Sequence, residues 1–178
     1  SPEEVRTAYE LVHSEAEKSF GCGDIFIEKY LVEPKHIEVQ ILADKYGNVY
    51  HLGERDCSLQ RRYQKVVEFA PAWSVPQETV EALRQDAVKI AKSVNYVSAG
   101  TVEFLVDKSG HHYFIEMNPR IQVEHTVTEM ITGVDLVRQQ LRIASGLPLD
   151  LTQEDVTLTG HAIECRINAE DPEHDFRP

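Results

Sequence analysis

The stretch FIEMNPRIQVEHTVTE, residues 114–129, places polar side chains at strict two-residue intervals. The alternating positions are Glu116, Asn118, Arg120, Gln122 and Glu124. Because successive side chains of an extended backbone point to opposite faces, an extended chain would project all five in one direction. Two carboxylates, two carboxamides and a guanidinium suit a metal ion beside a small anion. The alternative interpretation is the solvated face of an edge strand.

The residues before this stretch predict a β-hairpin about Ser109-Gly110. The two strands would span residues 101–107 and 112–118. With a two-residue loop, Glu103 pairs with Glu116 on one face, about 5 Å apart at Cβ, and Asn118 lies diagonally adjacent. Opposed carboxylates are destabilising unless something compensates them, and a magnesium ion held by carboxylates and substrate phosphates would do so. The alternative is a structural pair of glutamates, and a one-residue slip in register would send Glu103 to the other face.

The rest of the alternating row would extend away from that metal. Arg120 can bind a planar oxyanion through two parallel hydrogen bonds, and Gln122 can donate another. Glu124, beside a desolvated anion, could act as a general base. His125 would face away in an extended chain, so we interpret it as structural.

Composition limits the kind of partner and compartment. The formal net charge of −12 over 178 residues argues against nucleic-acid binding, and no apolar run reaches the length of about 18 residues typical of a membrane span. Cys22, Cys57 and Cys165 are too few and too scattered for a disulfide scaffold. We therefore predict a reducing, cytosol-like compartment.

A basic segment interrupts this acidic chain. It contains Arg55, Arg61, Arg62 and Lys65. Local positive charge of this kind serves a small anion site without requiring a basic protein. A solvated loop is the other interpretation.

Periodicity and turn signals predict the α+β class, with an antiparallel or mixed sheet and flanking helices. The predicted helices are residues 2–20, 76–94, 124–131 and 135–145. The predicted strands are residues 25–31, 36–43, 49–54, 101–107, 112–118 and 161–169. Residues 55–75 have few periodic features and are predicted to be a long connection, which in a compact domain is more often functional than idle.

Four motifs resemble the biotin carboxylase component of biotin-dependent carboxylases, which are ATP-grasp enzymes. They are EKYLVEPKHIEVQIL from residue 28, ERDCSLQRRYQKVVEFAPA from residue 54, FIEMNPRIQVEHTVTEMITGVDL from residue 114 and GHAIECRINAEDP from residue 160. The resemblance covers essentially the whole chain. It implies that ATP activates bicarbonate as carboxyphosphate and that biotin on a carrier protein is then carboxylated at nitrogen.

The resemblance also implies residue roles. The ligands of Mg²⁺ (or Mn²⁺) would be Glu103, Glu116 and Asn118. The bicarbonate pocket would be Lys65, Arg120, Gln122, Val123 and Glu124. Within the catalytic set, which also includes Arg120 and Lys65, Glu124 would be the general base and Arg166 would stabilise the biotin enolate. ATP contacts would come from Glu28, Lys29, Leu31, His36, Gln60, Tyr63 and Leu105.

Two departures from the family pattern stand out. Tyr63 occupies the position where the family's R-R-H-Q-K motif has histidine, so a phenol without positive charge replaces an imidazole. The family's glycine-rich phosphate loop, its phosphate-binding lysines and its amino-terminal domain would precede Ser1. We therefore expect an internal fragment, inactive alone. Residues 1–30 would be the tail of the lid subdomain, 31–150 the central nucleotide- and metal-binding portion, and 151–178 the start of the carboxy-terminal domain.

The implied partners are a biotin carboxyl carrier protein or domain, a carboxyltransferase subunit or domain and, for the full-length protein, further copies in a homo-oligomer. Two other functions remain open on the sequence. One is an ATP-grasp ligase of the carbamoyl-phosphate synthetase type, and the other is a non-catalytic nucleotide-binding or interaction module. The final acceptor, an acyl-CoA or pyruvate, is not encoded in these motifs.

Overall fold

A computed structural model describes residues 1–177, which divide into two compact units, Ser1–Leu31 and the chain from Val32 onward. The helices are α1 (Pro2–Phe20), α2 (Gln77–Ser93), α3 (His125–Thr132) and α4 (Leu136–Ala144), with short 3₁₀ helices at Gln153–Asp155 and Pro172–His174. The strands are β1 (Lys35–Ala43), β2 (Val49–Arg61), β3 (Gln64–Ala70), β4 (Ser98–Val106), β5 (His112–Asn118) and β6 (Ala162–Cys165). Within residues 1–177, no helix is both long and apolar enough to cross a bilayer.

The first unit consists of α1 and an extended segment. Ser1 caps the helix by accepting a hydrogen bond from the Glu4 backbone, the Glu4 side chain reciprocates, and Gly21 ends the helix in a left-handed conformation. The predicted strand at 25–31 is wrong, because that segment has no strand partner among residues 1–177. Its apolar side chains, such as Ile27, are exposed.

The second unit is built on a six-stranded, fully antiparallel sheet with the order β5-β4-β1-β2-β3-β6. β1 lies near the middle and is buried from Ile37 to Ala43. Its alternate residues Ile37, Val39 and Ile41 pack in one core cluster with Leu83 of α2. The opposite face carries Glu38 and Gln40, which are equally inaccessible. The α+β prediction is confirmed, and a buried polar surface lies on one face of the sheet.

The predicted long connection at 55–75 is mostly strand. β2 continues to Arg61, turns at Arg62 and Tyr63, and returns as β3 from Gln64. Both turn residues have positive φ, 52° and 64°, which is the geometry of a primed two-residue hairpin turn. The sequence did not indicate this hairpin because such turns ordinarily use glycine or asparagine, and neither residue is present here.

The β4–β5 hairpin pairs Glu103 with Glu116, as predicted, but through a different loop. Val106 pairs with His112, so the loop is one residue longer than a Ser109-Gly110 turn would make it. An irregularity beside Glu103, with Ile115 outside the ladder, then shifts the register back by one residue. The longer loop and the irregularity beside Glu103 offset each other, so the predicted opposition of the glutamates is confirmed.

The last strand is shorter than predicted. β6 covers only Ala162–Cys165, although the Arg166 backbone N–H still donates to the Val66 carbonyl at 2.9 Å. β6 pairs with β3 and forms the far edge of the sheet. The helices predicted at 124–131 and 135–145 correspond to α3 and α4.

Candidate functional site

Lys65 on β3 contacts carboxylates from three other elements. Its ammonium group donates to Glu38 Oε2 at 2.5 Å, Glu124 Oε1 at 2.7 Å and Glu103 Oε1 at 3.0 Å. These residues come from β1, the start of α3 and β4, respectively. The Glu38, Glu124 and Glu103 side chains are only 0%, 2% and 6% exposed. We call these four residues the Lys65 cluster.

The pKa shifts of Lys65, Glu103 and Glu124 all favour the ionised form of the side chain. Burial alone would lower the pKa of Lys65, but the negative charge of Glu38 holds it above its ordinary value. Burial would raise the pKa of Glu103, but the hydrogen bond with His36 and the charge of Lys65 lower it to about 2. Against the same effect of burial, the hydrogen bond from Lys65 lowers the pKa of Glu124.

His36 and Gln60 extend the cluster along β1 and β2. His36 Nε2 lies 2.5 Å from Glu103 Oε2, and Gln60 Nε2 lies 2.7 Å from His36 Nδ1. If Gln60 donates to Nδ1, the proton of a neutral His36 is on Nε2 and points to the carboxylate. Leu105 pairs with His36 across β1 and β4 and is half-buried. These three predicted nucleotide-binding residues therefore lie together beside Glu103.

Asn118 bridges the two opposed glutamates. Its amide nitrogen donates to Glu103 Oε1 at 2.9 Å and to Glu116 Oε1 at 3.1 Å. Glu103 is buried, whereas Glu116 is exposed. The donor set fits Mg²⁺ or Mn²⁺, because one carboxylate oxygen from each glutamate already faces the same position. For a metal to bind at Glu103 Oε1, the Asn118 amide must turn its oxygen inward or withdraw. Lys65 and Gln122, which donate to the same oxygen, must also move away.

The alternating row does not continue as a strand. β5 ends at Asn118, and the chain turns before α3 begins. Gln122 is buried and donates from Nε2 to Glu103 Oε1 at 2.9 Å, while its Oε1 has no hydrogen-bond partner among the described residues. Arg120 is exposed and lies 3.5 Å from Asn118 Oδ1, and Val123 is 60% exposed. The row therefore divides between a buried end and a solvent-facing part.

Arg166 joins Glu124 to a further buried carboxylate. Its Nη2 lies 3.0 Å from Glu124 Oε2, and its Nε donates to Glu68 Oε1 at 2.7 Å. Pattern alone would have made Arg166 a solvated strand residue, but its side chain is only 19% exposed. Glu124 therefore contacts a cation with each carboxylate oxygen.

The basic segment does not form one anion site. Arg55 is fully buried, Arg61 pairs with Glu170, and Arg62 pairs with Asp175. Only Lys65 enters the cluster. Arg55 and Lys65 both contact Glu38, whereas Arg61 and Arg62 lie at the β2–β3 turn and pair with other acids.

The remaining predicted nucleotide-binding residues are exposed or half-buried. Tyr63 is 99% exposed at the tip of the β2–β3 hairpin. Glu28, Lys29 and Leu31 belong to the first unit, where they lie in the extended segment after α1.

Sequence reasoning missed the buried Glu38 and Glu68, and it took the buried Arg55 only as one member of the basic segment. Arg55 donates from Nε to Glu38 Oε1 at 2.5 Å and from Nη1 to Gln40 Oε1 at 2.6 Å. Arg55 Nη1 also donates to the Thr128 hydroxyl of α3 at 2.9 Å. A signal was present in β1, where an acid and an amide alternate with three β-branched apolar residues in a strand that helices cover on both faces.

Comparison with known proteins agrees with this architecture. A family model for the ATP-binding domain of the carbamoyl-phosphate synthase L chain matches residues 1–152. The chain is 59% identical over 178 residues to a biotin carboxylase of Nostoc sp., which covers 100% of the chain and 40% of that protein. The chain thus spans about two-fifths of the length of this curated relative.

Solved structures of biotin carboxylases share the fold. The biotin carboxylase domain dimer of Hydrogenobacter thermophilus 2-oxoglutarate carboxylase, in complex with MgADP, ADP and bicarbonate, aligns with a TM-score of 0.92 and 58% identity over 99% of this chain and 39% of that one. The Campylobacter jejuni biotin carboxylase in complex with β,γ-ATP aligns at 0.94 and 49% identity over 100% of this chain and 40% of that one. The ATP-grasp fold predicted from the sequence motifs is confirmed.

Proposed function

Because the chain belongs to the family of the carbamoyl-phosphate synthase L chain ATP-binding domain, we propose that it forms the ATP- and bicarbonate-handling part of a biotin carboxylase. The observation that carries the proposal is the contact of Lys65 with both Glu103 and Glu124. One side chain thereby joins the predicted metal ligands to the predicted general base. The solved relative that carries MgADP and bicarbonate has 58% identity to this chain.

Glu124 is proposed to take the proton of bicarbonate. Its carboxylate is ionised, as a base requires, but its lowered pKa limits the driving force for proton transfer. Lys65 and Arg166 now donate to its two oxygens. Bicarbonate would recruit these donors, and a Glu124 carboxylate with fewer donors has a higher pKa and is a stronger base.

The proposed reaction has two steps. Deprotonated bicarbonate attacks the γ-phosphorus of ATP, the bond from that phosphorus to the bridging oxygen breaks, and carboxyphosphate and ADP form. The carboxyl group then passes to the ureido nitrogen of biotin as the bond from that group to the phosphate oxygen breaks, and the leaving phosphate takes the proton of the ureido nitrogen. Arg120 and Gln122 would orient bicarbonate with Val123, and Arg166 would stabilise negative charge on the biotin oxygen.

A divalent cation is proposed to bind through Glu103, Glu116 and Asn118, where it would neutralise the phosphate charge of ATP. Nucleotide contacts would come from His36, Gln60, Tyr63, Leu105, Glu28, Lys29 and Leu31. The corresponding domain assignment is 1–30 for the tail of the lid, 31–150 for the central portion and 151–178 for the start of the carboxy-terminal domain.

The proposed partners are a biotinylated carrier, a carboxyltransferase and a second copy of the full-length protein. The solved Hydrogenobacter domain is a dimer. Because the chain covers 40% of its Nostoc relative, we propose that these residues act within a longer protein, in the cytoplasm or in the mitochondrial matrix of a eukaryote.

The test is Glu124→Gln in the full-length protein that carries this chain. We expect bicarbonate-dependent carboxylation of biotin to fall by at least about 100-fold, because general acid–base catalysis contributes that much or more. Calorimetric binding of MgADP should be retained. The exposed Glu78→Gln on α2 removes one carboxylate away from the cluster and is the control. Unchanged turnover of Glu124→Gln would remove Glu124 as the base.

A carbamoyl-phosphate-forming ligase is the second candidate, because the matching family model carries that name. The two candidate functions are distinguished by adding free biotin or ammonia to the full-length protein and measuring ATP cleavage. Stimulation by biotin supports the carboxylase, and stimulation by ammonia alone supports the alternative. Absence of MgATP binding in calorimetry would instead indicate a non-catalytic module.

A further inference from the structure

Glu68 is a buried carboxylate that the proposed reaction does not use. It lies on β3, three residues after Lys65, and its side chain is 0% exposed. Its partner is Arg166, whose Nε and Nη2 both lie 2.7 Å from Glu68 Oε1. In the β3–β6 ladder, Glu68 is directly opposite Glu164, so the strand pair carries two acids side by side.

Arg166 is held between two carboxylates by only part of its guanidinium group. Nε and Nη2 contact Glu68, and Nη2 also contacts Glu124 Oε2 at 3.0 Å. Nη1 donates to no residue in 1–177. With 19% of the side chain exposed, the guanidinium is fixed at one edge and retains a donor for a ligand.

The surroundings of Glu68 destabilise its ionised carboxylate. Its Oε2 has no hydrogen-bond partner among the described residues, and burial raises the pKa of Glu68 while Arg166 opposes the rise. A buried carboxylate with one satisfied oxygen adds little net stability, because desolvation offsets the attraction to its partner. A simple cross-link between β3 and β6 would be served as well by two apolar residues.

We propose that Glu68 is a positioning residue that holds Arg166 in the orientation in which it meets the acceptor substrate. This inference rests on the proposed function, in which Arg166 stabilises negative charge on biotin. Glu68 acts through Arg166, and not on ATP or the metal. Its loss therefore affects the steps in which Arg166 takes part, at biotin and at Glu124, and leaves the binding of ATP and the metal unchanged.

The experiment uses Glu68→Gln in the full-length protein that carries this chain. The matched control is Glu164→Gln, which removes the opposing acid of the same ladder; the Glu164 carboxylate accepts from Thr126. We expect kcat/KM for biotin to fall by roughly 10- to 100-fold in Glu68→Gln, the range typical of a misplaced supporting group. The KM for ATP and the melting temperature should match those of Glu164→Gln.

A double-mutant cycle identifies the route of the effect. If Glu68 acts through Arg166, Glu68→Gln produces no further loss in an Arg166→Gln background. The inference would be overturned by additive losses in kcat/KM for biotin or by an unchanged kcat/KM for biotin. Equal increases in the KM for ATP and the KM for biotin would also overturn it. Loss of activity only in proportion to a lowered melting temperature would also overturn it, since that indicates a structural cross-link.

The ¹⁵N resonance of Arg166 Nε provides a readout that does not depend on activity. In the unsubstituted protein we expect a slowly exchanging Nε–H, and in Glu68→Gln we expect faster exchange. An unchanged exchange rate contradicts the inference even if the protein proves not to carboxylate biotin. Absence of biotin carboxylation by the unsubstituted protein, with the exchange difference present, would overturn the proposed function and the biotin role but retain Glu68 as the residue that holds Arg166.

Discussion

Arg55 and Glu38 form an ion pair in which both side chains are fully buried, with Nε 2.5 Å from Oε1. The same guanidinium bonds Gln40, Thr128 and Thr101, so its donors link β1, β4 and α3 beneath the Lys65 cluster. Because Glu38 Oε2 accepts from Lys65, Arg55 fixes the position of the Glu38 carboxylate in the Lys65 cluster.

Replacement of Arg55 should therefore destabilise the whole unit. We expect Arg55→Met to lower the free energy of unfolding by about 3–5 kcal/mol, because it leaves a buried carboxylate partly uncompensated. Urea denaturation measures this change. Arg62→Met is the control, since its pair with Asp175 is exposed and such pairs contribute at most about 1 kcal/mol. Similar losses in both variants would contradict the prediction.

The Lys65 cluster also shows what a single sequence can and cannot indicate. Alternation identified β1 and the face on which Glu103 lies. It could not identify Lys65 as the centre, because Lys65 is 27, 38 and 59 residues from Glu38, Glu103 and Glu124. Which strands become neighbours depends on the whole sheet, and period-2 patterns do not carry that information.

The Glu103–Glu116 pairing shows a second limit of prediction from the sequence. The predicted two-residue loop and the observed longer loop differ by one residue, and Ile115 outside the ladder compensates. A bulge leaves no clear sign in a strand of apolar and aromatic residues. The observed register places Glu103 where Lys65, Gln122 and the Asn118 amide all donate to its carboxylate, and these hydrogen bonds favour it.

The metal hypothesis predicts different consequences for binding and stability at Glu116. This carboxylate is exposed, and the structure shows one partner for it among the described residues, the Asn118 amide. We expect Glu116→Ala to weaken Mn²⁺ binding to the ADP complex of the full-length protein by about tenfold or more. Electron paramagnetic resonance titration measures free Mn²⁺, and the urea midpoint should remain within error. Equal Mn²⁺ affinity in Glu116→Ala and Glu78→Ala would exclude Glu116 as a ligand.

The β2–β3 turn should become more stable with glycine at Tyr63. Tyr63 has φ of 64° and is 99% exposed, so its ring contributes no packing that would be lost. Left-handed backbone costs a residue with a Cβ roughly 1–2 kcal/mol, and the greater chain entropy of glycine offsets part of that gain. We expect Tyr63→Gly to raise the free energy of unfolding by about 0.5–1 kcal/mol.

Gln64→Gly is the matched comparison for this turn. Gln64 begins β3 beside the turn, where glycine should be destabilising by about the same amount. If Tyr63 also contacts nucleotide, the more stable Tyr63→Gly protein will show a higher KM for ATP. A stabilised variant with an unchanged KM would confirm the strain and reject the nucleotide contact.

Asp44 should make stability depend on acid pH. It is 2% exposed at the β1–β2 turn, and its carboxylate accepts hydrogen bonds from the Tyr46, Asn48 and Leu149 backbones and from the Asn48 side chain. Burial would raise the pKa of Asp44, but these hydrogen bonds together lower it below 3.8. The folded state therefore favours the ionised form, and the resulting stabilisation is present above the unfolded pKa of about 3.9 and is lost as pH falls toward the folded value.

Asp44→Asn removes that dependence. We expect it to be less stable than the unsubstituted chain by about 1.5–3 kcal/mol at pH 7, the range for hydrogen bonds to a charged group. Urea unfolding at pH 7, 5 and 3 should show a similar difference at the first two values and a smaller one at pH 3, where unfolded Asp44 is mostly protonated. The exposed Asp24→Asn substitution controls for removal of one negative charge. A difference that persists undiminished at pH 3 would mean that the turn depends on the shape of Asp44 and not on its charge.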